Sequence, residues 1–510
     1  MKRNDLLILA LCAALFFVLV IPLGGAVVDD TYIHLQYARN LAETGELAFN
    51  RGDPTYGATS PLWVLLLACV YRAGGDLLLS CRILSWLFAV GSIALVYRLA
   101  LAIAGRTAAP AVSALICACE AWFVRWSVVG METSFAVFMV LLAITAAFSA
   151  ARSPARSALF GLVLFLAVLS RPEVLALAAL SIAACAFAPG PRRRRWLYLA
   201  VFVPLLAVWL FLIHRHTGSF FPLTAGAKQG RAVLSPIIFA RALIPAKIMG
   251  ATILLPWLVL IAGLAHAVFR ERSLTSLFIG RGGARGEMRP GVLLVILWVF
   301  ALPASYVIFD FQVLSRYLVP VIPCVIVLGA VSWEKLSAIV WRGAGARRAA
   351  MAVFVLLVAA QSVTVYEKVV VPPTRQFSRA LETVVCGMGE WLRENTPPGT
   401  LVATPDIGAI GYVSRRRVLD LGGLVTPEIN AMRRSIDVER IIEEGIYLQF
   451  KPAYLVDRSE MPARFSGKVI GGSRFIPVRG GRVPNLGIRK PAPVTYVLYR
   501  IEAASKGEGE

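Results

Sequence analysis

The chain has 510 residues, of which 58% are hydrophobic and 16% charged, against roughly 25% charged in an ordinary soluble domain. With a mean hydropathy of +0.71, a soluble globular enzyme is excluded. The formal charge of +22 does not indicate nucleic-acid binding, because Lys and Arg concentrate in short loops between apolar runs, as at Arg192–Arg195 and Arg342–Arg348. That is the charge bias of cytoplasmic loops in a multi-pass membrane protein.

Apolar runs of about 20 residues, each long enough to cross a hydrocarbon core about 30 Å thick, recur from Leu6 to Tyr366. The first follows Lys2-Arg3. Gly24-Gly25-Ala26 would suit a signal-peptide cut, but the run is long enough for a retained helix whose basic end stays cytoplasmic. The next apolar segment, Pro61–Gly74, spans only about 14 residues, a length typical of interfacial segments. Treating it as a helix on the outer surface places every basic loop inside. The predicted spans are then 6–27, 77–104, 107–124, 131–151, 157–170, 172–188, 196–214, 249–269, 291–309, 317–332 and 349–366, about eleven crossings that leave the N-terminus cytoplasmic and the C-terminus outside. The weakest boundary is Arg171-Pro172-Glu173, where proline interrupts the run; a tight outward corner and a single broken helix are both compatible with it.

The expected fold is a polytopic α-helical membrane domain over 1–366, with an external loop at 28–76 carrying surface helices, followed by a C-terminal α/β extracytoplasmic domain over 367–510. In the latter, short alternations at Thr400–Thr404, Arg417–Leu421, Ala453–Asp457 and Thr495–Tyr499 read as strands, with helices near 377–395 and 438–449. The final residues, 503–510, read as a disordered tail. Seven of the eight cysteines lie in apolar runs, with only Cys386 outside them, so neither a disulfide framework nor a zinc spacing is present.

Two adjacent acids, Asp29 and Asp30, stand at the outer end of the first span. Acids at a membrane boundary are costly and are functional candidates by default, although Asp is also a favoured helix N-cap and could simply start the next helix at Asp30. That helix should lie on the surface, with Tyr32, Leu35 and Arg39 on one register and Ile33, Gln36 and Asn40 on another, its polar side facing a cavity.

The stretches Asp29–Asn40, Gly45–Asn50 and Tyr56–Trp63 resemble the first external loop of bacterial polyprenyl-phosphate-sugar-dependent glycosyltransferases of the GT-C fold, closest to the branch of terminal arabinofuranosyltransferases and mannosyltransferase-like enzymes. Val129–Thr133, Ser170–Glu173, Gly218–Lys228, Arg316–Pro320 and Asp406–Tyr412 resemble the same branch, so the likeness covers nearly the whole chain. It implies an inverting transfer of a sugar, arabinofuranose or a hexose such as mannose, from a polyprenyl phosphate to an extracytoplasmic glycan, lipid or protein acceptor in cell-envelope biogenesis, at a bacterial cytoplasmic membrane. It also implies that the leading acid, Asp29, is the base and Asp30 its support, an assignment that could be reversed.

A lipid phosphate already leaves readily, so one carboxylate suffices, unlike the paired acids of a glycosidase. A partly desolvated Asp beside a second acid should have a raised pKa. For the departing phosphate the resemblance favours Lys228 and Arg316, with Arg171 as a further cation; Arg171 and Glu173 could instead pair with each other at the corner. Glu132, His34, Tyr32 and Tyr56 are candidate acceptor or sugar contacts, though aromatics at this depth commonly form an interfacial belt. No cofactor is assigned, and metal use is left open: a divalent cation could be shared by Asp29 and Glu132. Asp406 reads as the cap of a helix over the Ile-Gly-Ala-Ile-Gly stretch. A competing reading is a transporter or flippase of lipid-linked sugars using the same acids and arginines without chemistry; such proteins often show internal repeats, and none is evident.

Overall fold

The computed structural model describes residues 2–186, 196–223, 237–271, 290–487 and 492–504. By compactness the chain divides into two units, one made of residues 1–24, 82–209 and 230–370, the other of residues 25–81, 210–229 and 371–510, as far as these are described.

The first unit is helical. Among the described residues, eight helices of the chain are long and apolar enough to cross a membrane, or nine if the bent pair Ala109–Ala118 and Ala121–Val128 counts as one span. Pro154–Ser170 and Val174–Ala186 are shorter apolar helices, and the chain turns between them at Arg171–Glu173, so the proline ends one helix and a second begins. The span expected at 317–332 is the helix Ile322–Val340, and two other boundaries shift further. The helix Ile237–Phe269 begins about a dozen residues earlier than the predicted span, because apolar Ile237–Ile244 continues the run through Arg241 and Pro245. The last span does not stop at 366 but continues as helical backbone from Ala344 to Asn395.

Breaks in these helices are repaired by side chains from their neighbours, as a medium without water demands. At the 53° bend between Ala118 and Ala121, the Ser362 hydroxyl donates to the Cys119 carbonyl (3.0 Å) and accepts from the Ala121 N–H (2.8 Å). Ile253 leaves helical geometry one turn before Pro256, and the Gln361 amide donates to the carbonyls of Gly250 and Ala251 at 2.7 and 3.0 Å. Gly329 lets helix Ile322–Val340 approach this bend: a Cβ there would stand 2.7 Å from the Pro256 carbonyl oxygen. Small residues at such crossings are the usual means of close packing between membrane helices.

The second unit holds the first loop and the C-terminal domain. The helix Asp29–Thr44 starts at Asp29 with Val28 as its N-cap, so Asp30 does not cap it. It is not a surface helix with one polar face. Every residue from Thr31 to Asn40 is buried, and its polar groups are consumed by backbone: Gln36 donates to the Phe49 carbonyl, Asn40 to those of Ala48 and Phe49, and Tyr37 to Thr55. Strands β1 (Ala48–Asn50) and β2 (Asp53–Pro54) form a small hairpin, followed by the helix Pro61–Arg72, which buries Trp63, Val64 and Leu67 and exposes Leu65.

The C-terminal sheet comprises β3 (Leu401–Thr404), β4 (Arg417–Asp420), β5 (Tyr454–Ser459), β6 (Val469–Ile470), β7 (Ser473–Val483) and β8 (Val494–Ala503), in the order β4-β3-β5-β8-β7-β6. β4, β3 and β5 are parallel; β5, β8, β7 and β6 are antiparallel. The four predicted strands are present, while β6 and β7 are additional: β6 is only two residues long, and the Arg, Gly and Pro content of β7 hides it, since only Phe475 and Val483 are buried and Pro477 sits at a register shift. Asn50 pairs in both directions with the Val418 backbone, at 2.9 Å each, tying the first-loop hairpin to the outer edge of the sheet.

Candidate active site

In the second unit, the side chains of Asp406, Arg458 and Tyr496 and two backbone amides gather near Asp29. The turn after β3 carries Asp406, and the helix Gly408–Ser414 follows. Asp406 does not cap that helix. Its carboxylate accepts from Arg458 Nη1 at 2.7 Å on each oxygen and from the Tyr496 hydroxyl at 2.7 Å. Arg458 comes from β5 and Tyr496 from β8, neighbouring strands in which the two residues face each other across the ladder. The helix's free N–H groups are instead taken by Asp29: Gly408 donates to Oδ2 at 3.0 Å and Ala409 to Oδ1 at 2.8 Å. Each carboxylate oxygen keeps lone-pair capacity beyond these bonds.

Burial pushes the Asp29 carboxyl from its ordinary value of 3.8 up to about 7, helped by the negative charges of Asp406 and Asp30 and opposed by the two amide hydrogen bonds. Arg458 is likewise held more firmly protonated, by the Asp406 carboxylate. Tyr32 lies beside Asp29 on the same helix and is buried, its ring 5.6 Å from that of Tyr412 and its hydroxyl 3.7 Å from Cys386 Sγ. His34 and Tyr56 are buried as well. Arg39 donates to the Tyr412 carbonyl at 3.0 Å and lies over its ring.

In the first unit, the residues around the Arg171 corner form a buried charged group. Arg171 Nη1 donates to Glu132 at 2.8 Å and its Nε to Glu173, while Tyr306 donates to Glu173 at 3.4 Å. Arg171 is thus neutralised by two carboxylates: Glu173, the partner of the corner alternative, and Glu132, which that alternative did not include. Arg316 contacts Met131 Sδ and donates to the Tyr317 hydroxyl at 3.1 Å, with its guanidinium over the Trp126 and Tyr317 rings. Arg125 flanks the same indole at 4.8 Å and is 2% exposed; its Nε and Nη1 have no hydrogen-bond partner among the described residues. Sequence reading passed over Arg125 because it looks like a basic residue at the end of a span. A buried guanidinium with unused donors is costly unless an acceptor arrives, so this group is suited to an anion.

The structure brings Asp29 together with Asp406, and Glu132 with Arg171 and Glu173. Lys228 lies outside the described residues, so its placement does not enter. No group of three or more His, Cys, Asp or Glu among the described residues has the geometry to hold a metal ion, and no residue is assigned to one.

Comparison with solved structures decides the architecture. ArnT from Cupriavidus metallidurans, bound to undecaprenyl phosphate, superposes on 96% of this chain and 97% of its own, at 14% identity and a TM-score of 0.57. The archaeal oligosaccharyltransferase AglB from Archaeoglobus fulgidus, in complex with an inhibitory peptide and a dolichol-phosphate, covers 89% of this chain and 69% of its own, at 14% identity and a TM-score of 0.61. The chain has the GT-C fold. Arabinofuranosyltransferase AftD from Mycobacteria covers 100% of this chain and 40% of its own, at 17% identity and a TM-score of 0.52. These identities establish the GT-C architecture and not the substrate. Residues 375–498 match a domain of unknown function, DUF8728, and this stretch contains Asp406, Gly408, Arg458 and Tyr496. No curated protein matches the sequence at a significant level.

Proposed function

We propose that this GT-C protein is an inverting glycosyltransferase that moves a sugar from a polyprenyl phosphate to an extracytoplasmic acceptor. The observation that carries the reading is Asp29: an oriented carboxylate whose proton affinity is raised to about 7, the range in which a general base works best near neutral pH. The lipid-phosphate donor class is supported by the undecaprenyl phosphate and dolichol-phosphate in the ArnT and AglB structures.

In the reaction, the acceptor hydroxyl oxygen attacks the anomeric carbon as Asp29 takes its proton. The bond from that carbon to the phosphate oxygen breaks, and the lipid phosphate leaves with the electron pair. Attack opposite the leaving group inverts the anomeric centre. Arg125 and Arg316, which share the Trp126 ring within the first unit, are the candidates for binding the lipid phosphate of the donor, with Lys228 as a further candidate; guanidinium donors match phosphate geometry. Arg171 is better read as the partner of Glu132 and Glu173. Arabinofuranose and mannose remain alternative sugars, and a wall glycan, lipid or protein alternative acceptors, in the envelope of a bacterial cell.

The test uses purified protein in nanodiscs with a panel of radiolabelled polyprenyl-phosphate sugars and membrane extract as acceptor. Label moving to the acceptor with wild type and not with Asp29→Asn, while donor still binds, supports the reading. Loss on Asp30→Asn alone would reverse the two roles. No transfer from any donor, with lipid-linked sugar crossing the bilayer of sealed vesicles, would replace the enzyme by a flippase.

A further inference from the structure

The C-terminal domain contributes to the first-loop acid through a chain of contacts lying within one compact unit. Asp29 is held by the N–H groups of Gly408 and Ala409, at 3.0 and 2.8 Å. Those amides stand two and three residues beyond Asp406, whose own side chain is clamped to β5 and β8 by Arg458 on both oxygens and by Tyr496. A backbone turn fixed at its side chain to two central strands cannot swing without breaking three hydrogen bonds, two of them to a charged donor, the stronger class. The turn is also packed too closely to shift towards Asp29: a Cβ on Gly408 would stand 2.0 Å from the Asp29 carbonyl oxygen.

We propose that Asp406, Arg458 and Tyr496 are positioning residues for the transfer reaction, holding the Gly408–Ala409 amides against the Asp29 carboxylate so that the domain matching DUF8728 sets the orientation and charge of the base. This rests on the reading of Asp29 as base given above. It assigns the C-terminal domain a role in the chemical step.

The charge relationships make the proposal directional. The groups facing Asp29 are Asp30 on its own helix, Asp406 from the turn after β3, Tyr496 from β8 and the Cys386 thiol from the helical segment before the sheet. Arg458 reaches this set through Asp406. Tyr496 is held well above the usual phenol range by burial, so it stays neutral over the working range and the charged groups are the three acids and Arg458. Asp406→Asn removes a negative neighbour while keeping an acceptor for Tyr496. Arg458→Gln does the reverse, leaving the Asp406 charge uncompensated.

The experiment measures kcat, the KM for donor and the pH profile of transfer for full-length wild type, Asp406→Asn, Arg458→Gln and Tyr496→Phe in nanodiscs, with thermal unfolding of each alongside. The expected result is kcat lowered about tenfold or more in the first two variants with KM for donor within about twofold, as for loss of an interaction made in the transition state. The acid limb should move down in Asp406→Asn and up in Arg458→Gln, each by about one pH unit, the scale of a single nearby charge. Tyr496→Phe, which removes one neutral hydrogen bond and no charge, should lower kcat mildly without moving the limb, and it serves as the readout if either charge variant fails to fold. Unchanged kcat and unchanged limbs in folded variants, or an unchanged kcat in folded Tyr496→Phe where the charge variants do not fold, would overturn the positioning role while leaving the transferase reading intact. Absence of transfer by wild type would instead strike at the function.

Discussion

Gly408 and Asp29 lie in such close contact that a methyl group on the glycine would sit 2.0 Å from the Asp29 carbonyl oxygen and 2.8 Å from its carboxylate. No side chain can occupy that space without the turn after β3 moving away from the first-loop helix. Gly408→Ala should therefore lengthen or break both amide bonds to Asp29. Strain of this kind typically costs about 1–3 kcal/mol. Transfer should fall at least tenfold while donor binding, followed by equilibrium dialysis of labelled lipid phosphate, stays within about twofold. Full activity in Gly408→Ala would show that the amide cradle is dispensable.

The raised proton affinity of Asp29 predicts opposite pH trends for activity and stability. The base must be ionised, so transfer should rise as pH increases through about 7 and level off above it. For stability, the folded carboxyl holds its proton more tightly than the unfolded one, whose ordinary value is 3.8. Its favourable contribution is then complete below about pH 4 and is lost progressively as pH rises to about 7. Asp29→Asn should flatten that part of the stability profile, measured by thermal unfolding from pH 4 to 8. A slope identical to wild type would place the titrating group elsewhere.

Arg125 and Arg171 should separate cleanly in their effects. Among the described residues Arg125 finds no hydrogen-bond partner for Nε or Nη1, so Arg125→Met, which keeps an unbranched apolar stem of similar reach, should leave thermal stability nearly unchanged. The KM for donor should rise about tenfold or more, as for a lost charged contact to phosphate worth about 1.5–3 kcal/mol. An unchanged KM would remove Arg125 from donor binding.

Much of this arrangement was legible in the sequence, for identifiable reasons. Span positions follow from run length and loop charge, and the parallel strands from short alternating segments bounded by Gly and Pro. Asp29 was legible because acids at a membrane boundary are rare. The contacts that surround it were not, because Asp406, Arg458 and Tyr496 are separated from Asp29 by hundreds of residues and meet only through the sheet order, in which β5 and β8 are adjacent. Asp406 followed by Ile-Gly reads locally as a helix cap, and nothing local reveals that a distant carboxylate takes that place. Arg125 was missed for a related reason: its sequence neighbours suggest a headgroup contact, and only three-dimensional packing shows it buried beside Trp126. The burial of Thr31–Asn40 on all sides was hidden because their polar groups look solvent-facing until their backbone partners in β1 and at Thr55 are known.

Arg171 is the counterpart of Arg125. It is 3% exposed and joins Glu132 and Glu173, side chains 2% and 15% exposed. Removing its charge strands two buried carboxylates, and breaking a buried pair from one side typically costs about 3–5 kcal/mol. Arg171→Met should therefore lower the thermal midpoint by several degrees and reduce the yield of folded protein. The decisive comparison is the triple variant Arg171→Met, Glu132→Gln, Glu173→Gln, in which no charge is left stranded. Stability should return most of the way to wild type, since replacing a whole buried ionic group is far cheaper than breaking it. Donor binding should recover with it if Arg171 is structural. Recovery of stability with donor affinity still lost would instead return Arg171 to the phosphate-binding set.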